Sequence, residues 1–460
     1  MPETVIGLEV HVHLNTASKL FCGCPTKEGT PNSNTCEICL GMPGSKPMLN
    51  EKAVEFAVKA ALALNCSVNK EFYFSRKTYF YPDMAKNFQI TQYEKPIGES
   101  GFLQLKSGKK VGIQRVHLEE DPASLVHESS NYSLVDYNRS GFPMIEVVTS
   151  PCMEGAEEAR EFLNELQTVL DYLGIFISGE QLLKADANIS LKGGERVEVK
   201  NISSFKGVER ALSYEVSRQE ALVREGKKIA RETRGFDDVA GITKSQRLKE
   251  SEEDYGYITE PDLPKIVLEE HQIVEWKKEL PELHADRAVR WVKEFGIEEK
   301  FAKVLAQDKP LAQLFEGVSQ KVSPKLAAQF LSRELLAVLN HDNLSLRDVE
   351  LDEKHIVELL KLLEGAKISE KSAKEALIKI VNEKAEPVSY IQKMGWMVSS
   401  DGKEIGKIIQ EVLKENAKAV ADFKKGDEKA LNFLVGQVLK NAKGKADPRK
   451  VQDMLKAGLK

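Results

Sequence analysis

The sequence predicts an α+β protein with a sheet-rich first part and a helical second part. Short alternating strands with Gly and Pro turns fill the chain up to about residue 290, and helical periodicity dominates beyond it. Hydrophobic residues make up 42% of the chain and charged residues 30%, which excludes a largely disordered protein. We predict a mainly antiparallel sheet domain at 1–290, a helical domain at 291–398 and a small helical tail domain at 399–460.

The first predicted element is a strand, IGLEVHVHL, at residues 6–14. Its alternation places branched aliphatic side chains on one face and Glu9, His11 and His13 on the other. Solvated strand faces usually carry Lys, Thr, Ser or Glu, whereas this face carries two of the eight histidines of the chain. The strand is therefore a candidate part of a functional site.

A cysteine-rich segment, FCGCPTKEGTPNSNTCEICLG, follows the first strand and carries Cys22, Cys24, Cys36 and Cys39. Two close cysteine pairs separated by a polar loop are typical of a structural zinc site with four thiolate ligands. Disulfides are disfavoured in a reducing cytosol. Four free thiols are the alternative, and it is disfavoured because the loop at 22–39 has few apolar side chains to bury without a metal.

Carboxylates also occur inside later apolar strands. Glu120 lies in VHLEED, Glu146 lies in PMIEVV, and Asp186 and Asn188 share one face of KADANIS. A buried carboxylate without a partner is costly, so such groups are usually paired, protonated or bound to a metal. The segment LLKADANISLKGGERVEVKNI predicts a hairpin around Gly193 and Gly194, in which Asp186 and Asn188 face a partner strand that carries Glu198 and Lys200.

Two interpretations of these carboxylates fit their spacing equally well. Glu9, His11, Glu120 and Glu146 could together form an oxygen-rich Mg²⁺ site that also takes substrate phosphates. Alternatively, each carboxylate lies at the rim of a sheet and pairs with a cation. The candidate cations are Lys77, Arg115 and Arg139.

Helical patterns complete the prediction. AEEAREFLNELQTVLDYLG predicts a helix that ends at Gly174. EKHIVELLKLLEG, KSAKEALIKIVNEK and EIGKIIQEVLKENAKAVADFKKG have the same 3.6-residue period in the second part of the chain. From Gly436 onward there are seven Lys or Arg residues and two Asp residues, a balance suited to a phosphate backbone or to an ordinary solvated surface.

Several common kinds of site and segment are missing from the sequence. No G-x-x-x-x-G-K-[ST] or G-x-G-x-x-G loop follows a strand, and no G-x-S-x-G elbow for a nucleophilic serine occurs. No window approaches the ~18–20 apolar residues of a membrane span. The first residues enter a strand directly, without the pattern of a signal peptide. We therefore expect a cytoplasmic protein with no membrane contact.

Nine segments, in this order, resemble one family: the B subunits of the aspartyl/glutamyl-tRNA amidotransferases. They are ETVIGLEVHVHL, PNSNTCEICLGMPGSKP, RKTYFYPDMAKNFQITQY, HLEEDPA, SLVDYNRSGFPMIEVV, ADANISL, VEVKNISSF, DYGYITEPDLP and FLVGQVLKNAKGKADPRKV. Any one of them would be weak evidence, but nine in register across essentially the whole chain are highly specific.

The resemblance implies a carbon–nitrogen ligase of three subunits that uses glutamine as amide donor. The A subunit, an amidase, releases ammonia from glutamine, and the C subunit is a small stabilising chain. The B subunit binds Glu-tRNA(Gln) or Asp-tRNA(Asn), phosphorylates the side-chain carboxylate with ATP, and lets ammonia displace the phosphate. The first 290 residues would form a cradle-like catalytic domain, and the helical tail would contact tRNA.

The same resemblance implies roles for individual residues. His11, Glu120 and Glu146 would bind Mg²⁺, and Glu9, His11 and Glu120 would be the catalytic residues, with Glu9 orienting the site or acting as a base. Asp186, Asn188 and Lys77 would contact the nucleotide or a second metal. The four cysteines would bind a structural Zn²⁺.

Three alternatives stay open. An archaeal paralogue, the E subunit, acts on Glu-tRNA(Gln) but carries a large extra domain, and EPDLP here runs into helices without room for one. A zinc or magnesium hydrolase could use Glu9, His11 and Glu120, but no H-E-x-x-H motif is present. A non-catalytic, zinc-containing RNA-binding scaffold would need only the cysteine loop and the basic end.

Overall fold

The computed structural model describes residues 3–127, 131–179, 181–192, 194–248, 256–397, 402–424, 428–441 and 448–459. The chain divides into two compact units, Met1–Glu282 and Leu283–Lys460. The first is rich in strands and the second is helical, which confirms the predicted α+β class. The predicted boundary between residues 398 and 399 lies outside the described residues.

The first unit is built mainly from β-strands. Those up to residue 127 are β1 Thr4–His13, β2 Ser67–Val68, β3 Glu71–Phe72, β4 Ser75–Thr78, β5 Phe88–Thr91, β6 Gly98–Gln104, β7 Lys110–Glu120 and β8 Ser124–His127. Those that follow are β9 Ser133–Asp136, β10 Pro143–Thr149, β11 Leu183–Leu191, β12 Val197–Lys200, β13 Glu232–Asp237, β14 Ile242–Leu248, β15 Ile258–Thr259 and β16 Ile266–Val267. Its helices are α1 Glu51–Ala63, α2 Ala156–Leu173, α3 Phe205–Arg224 and α4 Glu270–Lys278.

Nine of these strands form one sheet in the order β14-β13-β12-β11-β1-β10-β7-β6-β2. Neighbouring strands are antiparallel except β12 and β13, which are parallel, so the predicted antiparallel character is confirmed. The predicted hairpin is β11–β12, in which Asn188 pairs with Glu198. Smaller sheets contain β15-β4-β5, β16-β3 and β8-β9.

The large sheet buries one face. Ile6, Leu8, Val10 and Val12 of β1 are almost inaccessible to solvent, as the alternation predicts. Helices α1, α2 and α3 pack against the sheet at β7, β1 and β11. The α2 stripe is buried as its 3.6-residue period requires, and Gly174 ends the helix in the left-handed conformation with φ of 73°. The helices on this side leave the other face of the sheet for polar residues.

The second unit contains helices joined by short loops. Its helices are α5 His284–Phe295, α6 Glu299–Ala306, α7 Lys309–Ser319, α8 Pro324–Phe330, a π-helical turn Leu331–Leu335, α9 Leu336–His341, α10 Glu353–Glu364, α11 Glu370–Glu383 and α12 Pro387–Lys393. They are followed by α13 Gly402–Glu415, α14 Ala417–Lys424, α15 Glu428–Asn441 and α16 Pro448–Leu459. No helix in the described part of the chain is both long enough and apolar enough to span a bilayer.

The last four helices share a buried apolar core that includes Val412, Leu434, Val451 and Leu455. The segment EIGKIIQEVLKENAKAVADFKKG is interrupted at Asn416, between α13 and α14. The Asn416 side chain donates a hydrogen bond to the Val412 carbonyl at 2.9 Å. Such a side-chain bond competes with the helical backbone bonds and favours an interruption there.

Candidate active site and cysteine cluster

The side of the large sheet opposite the buried aliphatic face of β1 carries a row of polar side chains, which we call the polar face. Directly paired residues on neighbouring strands point to the same side of a sheet. Glu9 pairs with Asp186 of β11, and His11 pairs with Glu146 of β10. Glu146 in turn pairs with His117 of β7. Sheet pairing therefore collects on one face residues that lie far apart in the sequence.

Three side chains of the polar face converge as a set that we call the sheet cluster: His11, Glu119 and Glu146. One ligand atom from each lies within 4.8 Å of the others. The Nε2 atom of His11 is 3.4 Å from Glu119 Oε1 and 3.8 Å from Glu146 Oε2. The Thr91 hydroxyl donates to Glu119 Oε2 at 3.0 Å and fixes that carboxylate. Two carboxylates and an imidazole suit a divalent cation that also binds phosphate oxygens.

His117 supports the sheet cluster from within the protein. It is buried, and its Nε2 atom lies 2.9 Å from Glu146 Oε2. Its other ring nitrogen, Nδ1, has no hydrogen-bond partner within the described part of the chain. Side chains that hold a ligand carboxylate in this way orient it toward the metal.

The pKa values of His11 and Glu146 are shifted by the charges that surround them in the sheet cluster. Burial alone would lower the pKa of His11, but the carboxylates of Glu146, Glu119, Asp186 and Glu9 outweigh it and raise that pKa. Burial opposes ionisation of Glu146, yet His117 and His11 hold its pKa well below the usual range. The carboxylates that raise the pKa of His11 would also favour a metal cation bound among them.

Glu120, the predicted magnesium ligand, is not part of this set. Adjacent strand residues point to opposite faces, and Glu119 lies on the polar side. The buried Glu120 carboxylate forms an ion pair with Lys86 and accepts a hydrogen bond from the Ile90 backbone N–H at 2.8 Å. The structure therefore brings Glu119, and not Glu120, to His11 and Glu146.

The other predicted residues lie around the cluster. Asn188 Nδ2 donates to Glu9 Oε1 at 2.9 Å, and Lys200 Nζ lies 3.1 Å from Asp186 Oδ2. Lys77, on β4, is near enough for its charge to help lower the pKa of Glu146. A cavity of about 160 Å³ opens beside these groups. Its polar lining includes Glu9, Gln114, Asn188, Ser190 and Arg196.

Cys22, Cys24, Cys36 and Cys39 form the second set, the cysteine cluster. Their four Sγ atoms lie within 4.8 Å of one another, and none forms a disulfide. The Cys36 backbone N–H donates to Cys39 Sγ at 3.1 Å. Four convergent sulfur donors match tetrahedral Zn²⁺. The residues therefore fit the metal predicted from their spacing.

The thiols of this cluster are not equivalent. A hydrogen bond from Cys22, with help from the Lys19 charge, lowers the pKa of Cys39 to about 4. Burial raises the pKa of Cys24 to about 11. A metal that binds all four sulfurs must therefore displace protons from the less acidic thiols.

Sequence reasoning missed Glu119 and His117 as site residues. The signal was present in HLEED, because His117 and Glu119 share one strand face whereas Glu120 lies on the other. Choosing between the faces requires the pairing of β7 with β10, which places His117 opposite Glu146. Nothing in the local sequence states that pairing.

Comparison with known proteins adds independent information. Residues 4–274 match the family described as "GatB/GatE catalytic domain", and residues 313–459 match the family described as "GatB domain". The first match alone covers more than half of the chain.

Full-length relatives agree with these matches. The B subunit of the aspartyl/glutamyl-tRNA(Asn/Gln) amidotransferase of Sulfolobus acidocaldarius is 46% identical, with 99% of both chains covered. The proteins of the same name from Methanospirillum hungatei and Thermotoga maritima are 45% and 43% identical, covering 99% and 96% of this chain and 98% and 96% of theirs. These names favour the B subunit over the alternative of the E subunit. The chain belongs to the family of B subunits of the aspartyl/glutamyl-tRNA(Asn/Gln) amidotransferases.

Proposed function

We propose that the chain activates the side-chain carboxylate of Glu-tRNA(Gln), Asp-tRNA(Asn) or both with ATP, so that ammonia can convert the acid to the amide. The observation that carries this proposal is the sheet cluster of His11, Glu119 and Glu146 on the polar face. Phosphoryl transfer needs little covalent chemistry from a protein, and it depends on positioning and on charge stabilisation. A convergent set of cation ligands on a rigid sheet can supply both.

The residues of the cluster have distinct tasks in this proposal. His11, Glu119 and Glu146 would hold Mg²⁺ through the three atoms that already converge. When bound, Mg²⁺ would neutralise charge between the ATP phosphates and the acceptor carboxylate. His117 keeps Glu146 oriented, and Thr91 keeps Glu119 oriented, through the contacts described above.

The reaction proceeds in two balanced steps. A carboxylate oxygen of the aminoacyl side chain attacks the γ-phosphorus of ATP, and the bond from that phosphorus to ADP breaks. The nitrogen of ammonia then attacks the activated carbon, inorganic phosphate leaves, and the nitrogen loses a proton. Glu9 suits the role of proton acceptor, because Asn188 holds its carboxylate beside a cavity ample for a molecule of the size of ammonia.

Groups next to the cluster suit the nucleotide. The Lys77 ammonium lies close to Glu146, where it would contact phosphate oxygens of ATP. Asp186 and Asn188 lie on the polar face beside Glu9, where they would contact the nucleotide or a second cation. The Asn188 Oδ1 atom is buried and has no hydrogen-bond partner among the described residues, so it is available as an acceptor.

The cysteine cluster has a structural task. Cys22, Cys24, Cys36 and Cys39 would hold Zn²⁺ with all four ligand positions filled, which leaves no position for a substrate. The metal would fix a segment that has neither helix nor strand between Cys22 and Cys39.

Partners follow from the chemistry. The amidase, or A subunit, would release ammonia from glutamine, and the small C subunit would stabilise the assembly, in the cytoplasm where charged tRNA is used. The helical tail domain at 399–460 would contact the tRNA body. Its exposed Lys440 and Lys456 provide positive charge for phosphates.

The test is ADP formation by the chain assembled with the amidase and the small third protein of the enzyme, with ammonium chloride as nitrogen donor. Ammonium makes the assay independent of glutamine hydrolysis. Glu-tRNA(Gln), Asp-tRNA(Asn) and the uncharged tRNAs are compared for the wild type, Glu146→Gln and the surface control Glu55→Gln. We expect turnover that requires a charged tRNA, survives in Glu55→Gln and is lost in Glu146→Gln. Equal turnover with uncharged tRNA would overturn the proposal.

A further inference from the structure

Lys19 is a fully buried lysine next to the cysteine cluster. Its side chain is 0% exposed, and its Nζ donates to the Tyr137 carbonyl at 3.3 Å. In the part of the chain that the structure describes, no carboxylate oxygen lies within 4.0 Å of this Nζ. A buried ammonium without a counter-charge is strongly disfavoured. The position therefore needs a source of negative charge.

The cysteine cluster lies next to Lys19 and is a candidate source. The Lys19 backbone N–H donates to the Cys24 carbonyl at 2.9 Å. A Cβ atom at Gly141 would lie 3.6 Å from Lys19 Cδ, 3.7 Å from Cys39 Cβ and 3.9 Å from Glu120 Oε2, so all three side chains border the same point. The Glu120 carboxylate is already paired with Lys86. Lys19 thus lies beside the cysteine cluster in both its backbone and its side chain.

The charge of a zinc-loaded cluster explains why a lysine is useful there. Four thiolates and one Zn²⁺ together carry two excess negative charges, in a setting partly removed from water. We propose that the positive charge of Lys19 compensates part of this excess and so strengthens the hold of the four cysteines on zinc. This inference rests on the proposed zinc site.

Lys86 shows by contrast why Lys19 is distinctive. Lys86 also approaches this region, with its Nζ 5.9 Å from the centre of the Phe21 ring. Its charge, however, is already neutralised by Glu120. A hydrogen bond to the Tyr137 carbonyl would not by itself require a lysine, since a neutral donor such as glutamine could make it. Lys19 differs from Lys86 because, among the described residues, its charge has no carboxylate partner within 4.0 Å.

The experiment measures zinc content and the rate of zinc transfer from the full chain to a chromogenic chelator. Lys19→Met removes the charge and the donor, Lys19→Gln removes the charge but keeps an N–H donor on a shorter side chain, and Lys19→Arg keeps the charge. Lys52→Met is the control, because Lys52 is half exposed and pairs with Glu55 on the surface. We expect both neutral variants to bind zinc about tenfold or more weakly, while Lys19→Arg and Lys52→Met stay near the wild type.

Each outcome decides a separate point. A wild-type chain that binds no zinc would overturn the zinc site itself. Wild-type zinc retention in Lys19→Met and Lys19→Gln would overturn the role of Lys19 and leave the zinc site standing.

Circular dichroism monitors folding of the variants. The inference would be supported if a neutral variant folds only with excess zinc while Lys19→Arg folds normally. Equal loss of zinc from Lys19→Arg and from the neutral variants would contradict it.

Discussion

The sheet cluster and the cysteine cluster are both suited to metals, but they are held in different ways. His11, Glu119 and Glu146 project from three adjacent strands whose backbone hydrogen bonds fix them in register. The cysteines lie in a segment without helix or strand between Cys22 and Cys39. We therefore expect the first set to keep its arrangement without an ion and the second to depend on an ion for its shape.

The two clusters also differ in donor chemistry and in charge compensation. Hard oxygen donors with one imidazole suit Mg²⁺, and four thiolates suit Zn²⁺. In the sheet cluster, the imidazoles and Lys77 lower the pKa of Glu146, while the buried Lys19 lies beside the cysteine cluster. Loss of ligand should therefore stop chemistry at one cluster and unfold a loop at the other.

Zinc removal should give the largest effect. A structural thiolate site contributes on the order of 10 kcal/mol to local folding. Stripping the reduced wild-type chain with a chelator should make trypsin cleave faster at Lys27, within the loop, while the circular dichroism of the sheet stays unchanged. Restoring zinc should restore resistance. Unchanged cleavage at Lys27, or loss of the whole sheet signal, would break the distinction between the clusters.

Glu120→Gln should destabilise the fold without removing a metal ligand. The change leaves the Lys86 ammonium without its buried partner, a loss typically of about 3–5 kcal/mol. Urea unfolding of the first unit within the full chain measures it. The double variant Glu120→Gln/Lys86→Met removes both charges and should recover most of the stability. A stable Glu120→Gln variant that has lost its Mg²⁺ dependence would instead restore Glu120 as a ligand.

Glu119→Gln should reduce turnover without destabilising the fold, the opposite of the result expected for Glu120→Gln. Removal of one charge-stabilising group at a reacting centre typically costs about 100- to 1000-fold in turnover. We expect that loss in charged-tRNA-dependent ADP formation, with an unfolding midpoint at or above that of the wild type, because a like charge has left the cluster. Near-normal turnover would show that the sheet cluster is not the reacting centre.

His117→Asn should give the smallest of these effects. His117 contacts Glu146 and lies behind the predicted ligands, and removal of such a supporting group costs roughly 10- to 100-fold in metal affinity. The Mg²⁺ concentration for half-maximal turnover should rise accordingly, and saturating Mg²⁺ should restore the rate. A loss that Mg²⁺ does not restore would give His117 a role other than positioning.

The sequence predicted much of this fold because its periodicities are local. The alternation in β1 separated Ile6 and Leu8 from Glu9 and His11, and the 3.6-residue period marked the buried stripe of α2. The cysteine spacing located the second cluster. The α+β class and the hairpin β11–β12 are confirmed, whereas the tail boundary near residue 398 stays a prediction.

The choice between Glu119 and Glu120 could not be made from sequence alone. The two residues are adjacent, and either face of β7 could have met β10. Only the pairing of Glu146 with His117 assigns the face, and that pairing joins residues 29 positions apart in the chain. The burial of Lys19 was equally hidden, because a lysine in a polar segment is ordinarily exposed.

The most direct test of the central claim is Mn²⁺ binding to the full chain, measured by electron paramagnetic resonance without ATP. Mn²⁺ serves as a spectroscopic substitute for Mg²⁺. Wild type, Glu119→Gln and Glu120→Gln are compared under conditions in which all three are folded. We predict that the wild type and Glu120→Gln bind Mn²⁺ with similar affinity and that Glu119→Gln does not. Wild-type affinity in Glu119→Gln, or loss of binding in folded Glu120→Gln alone, would contradict the sheet cluster as the metal site.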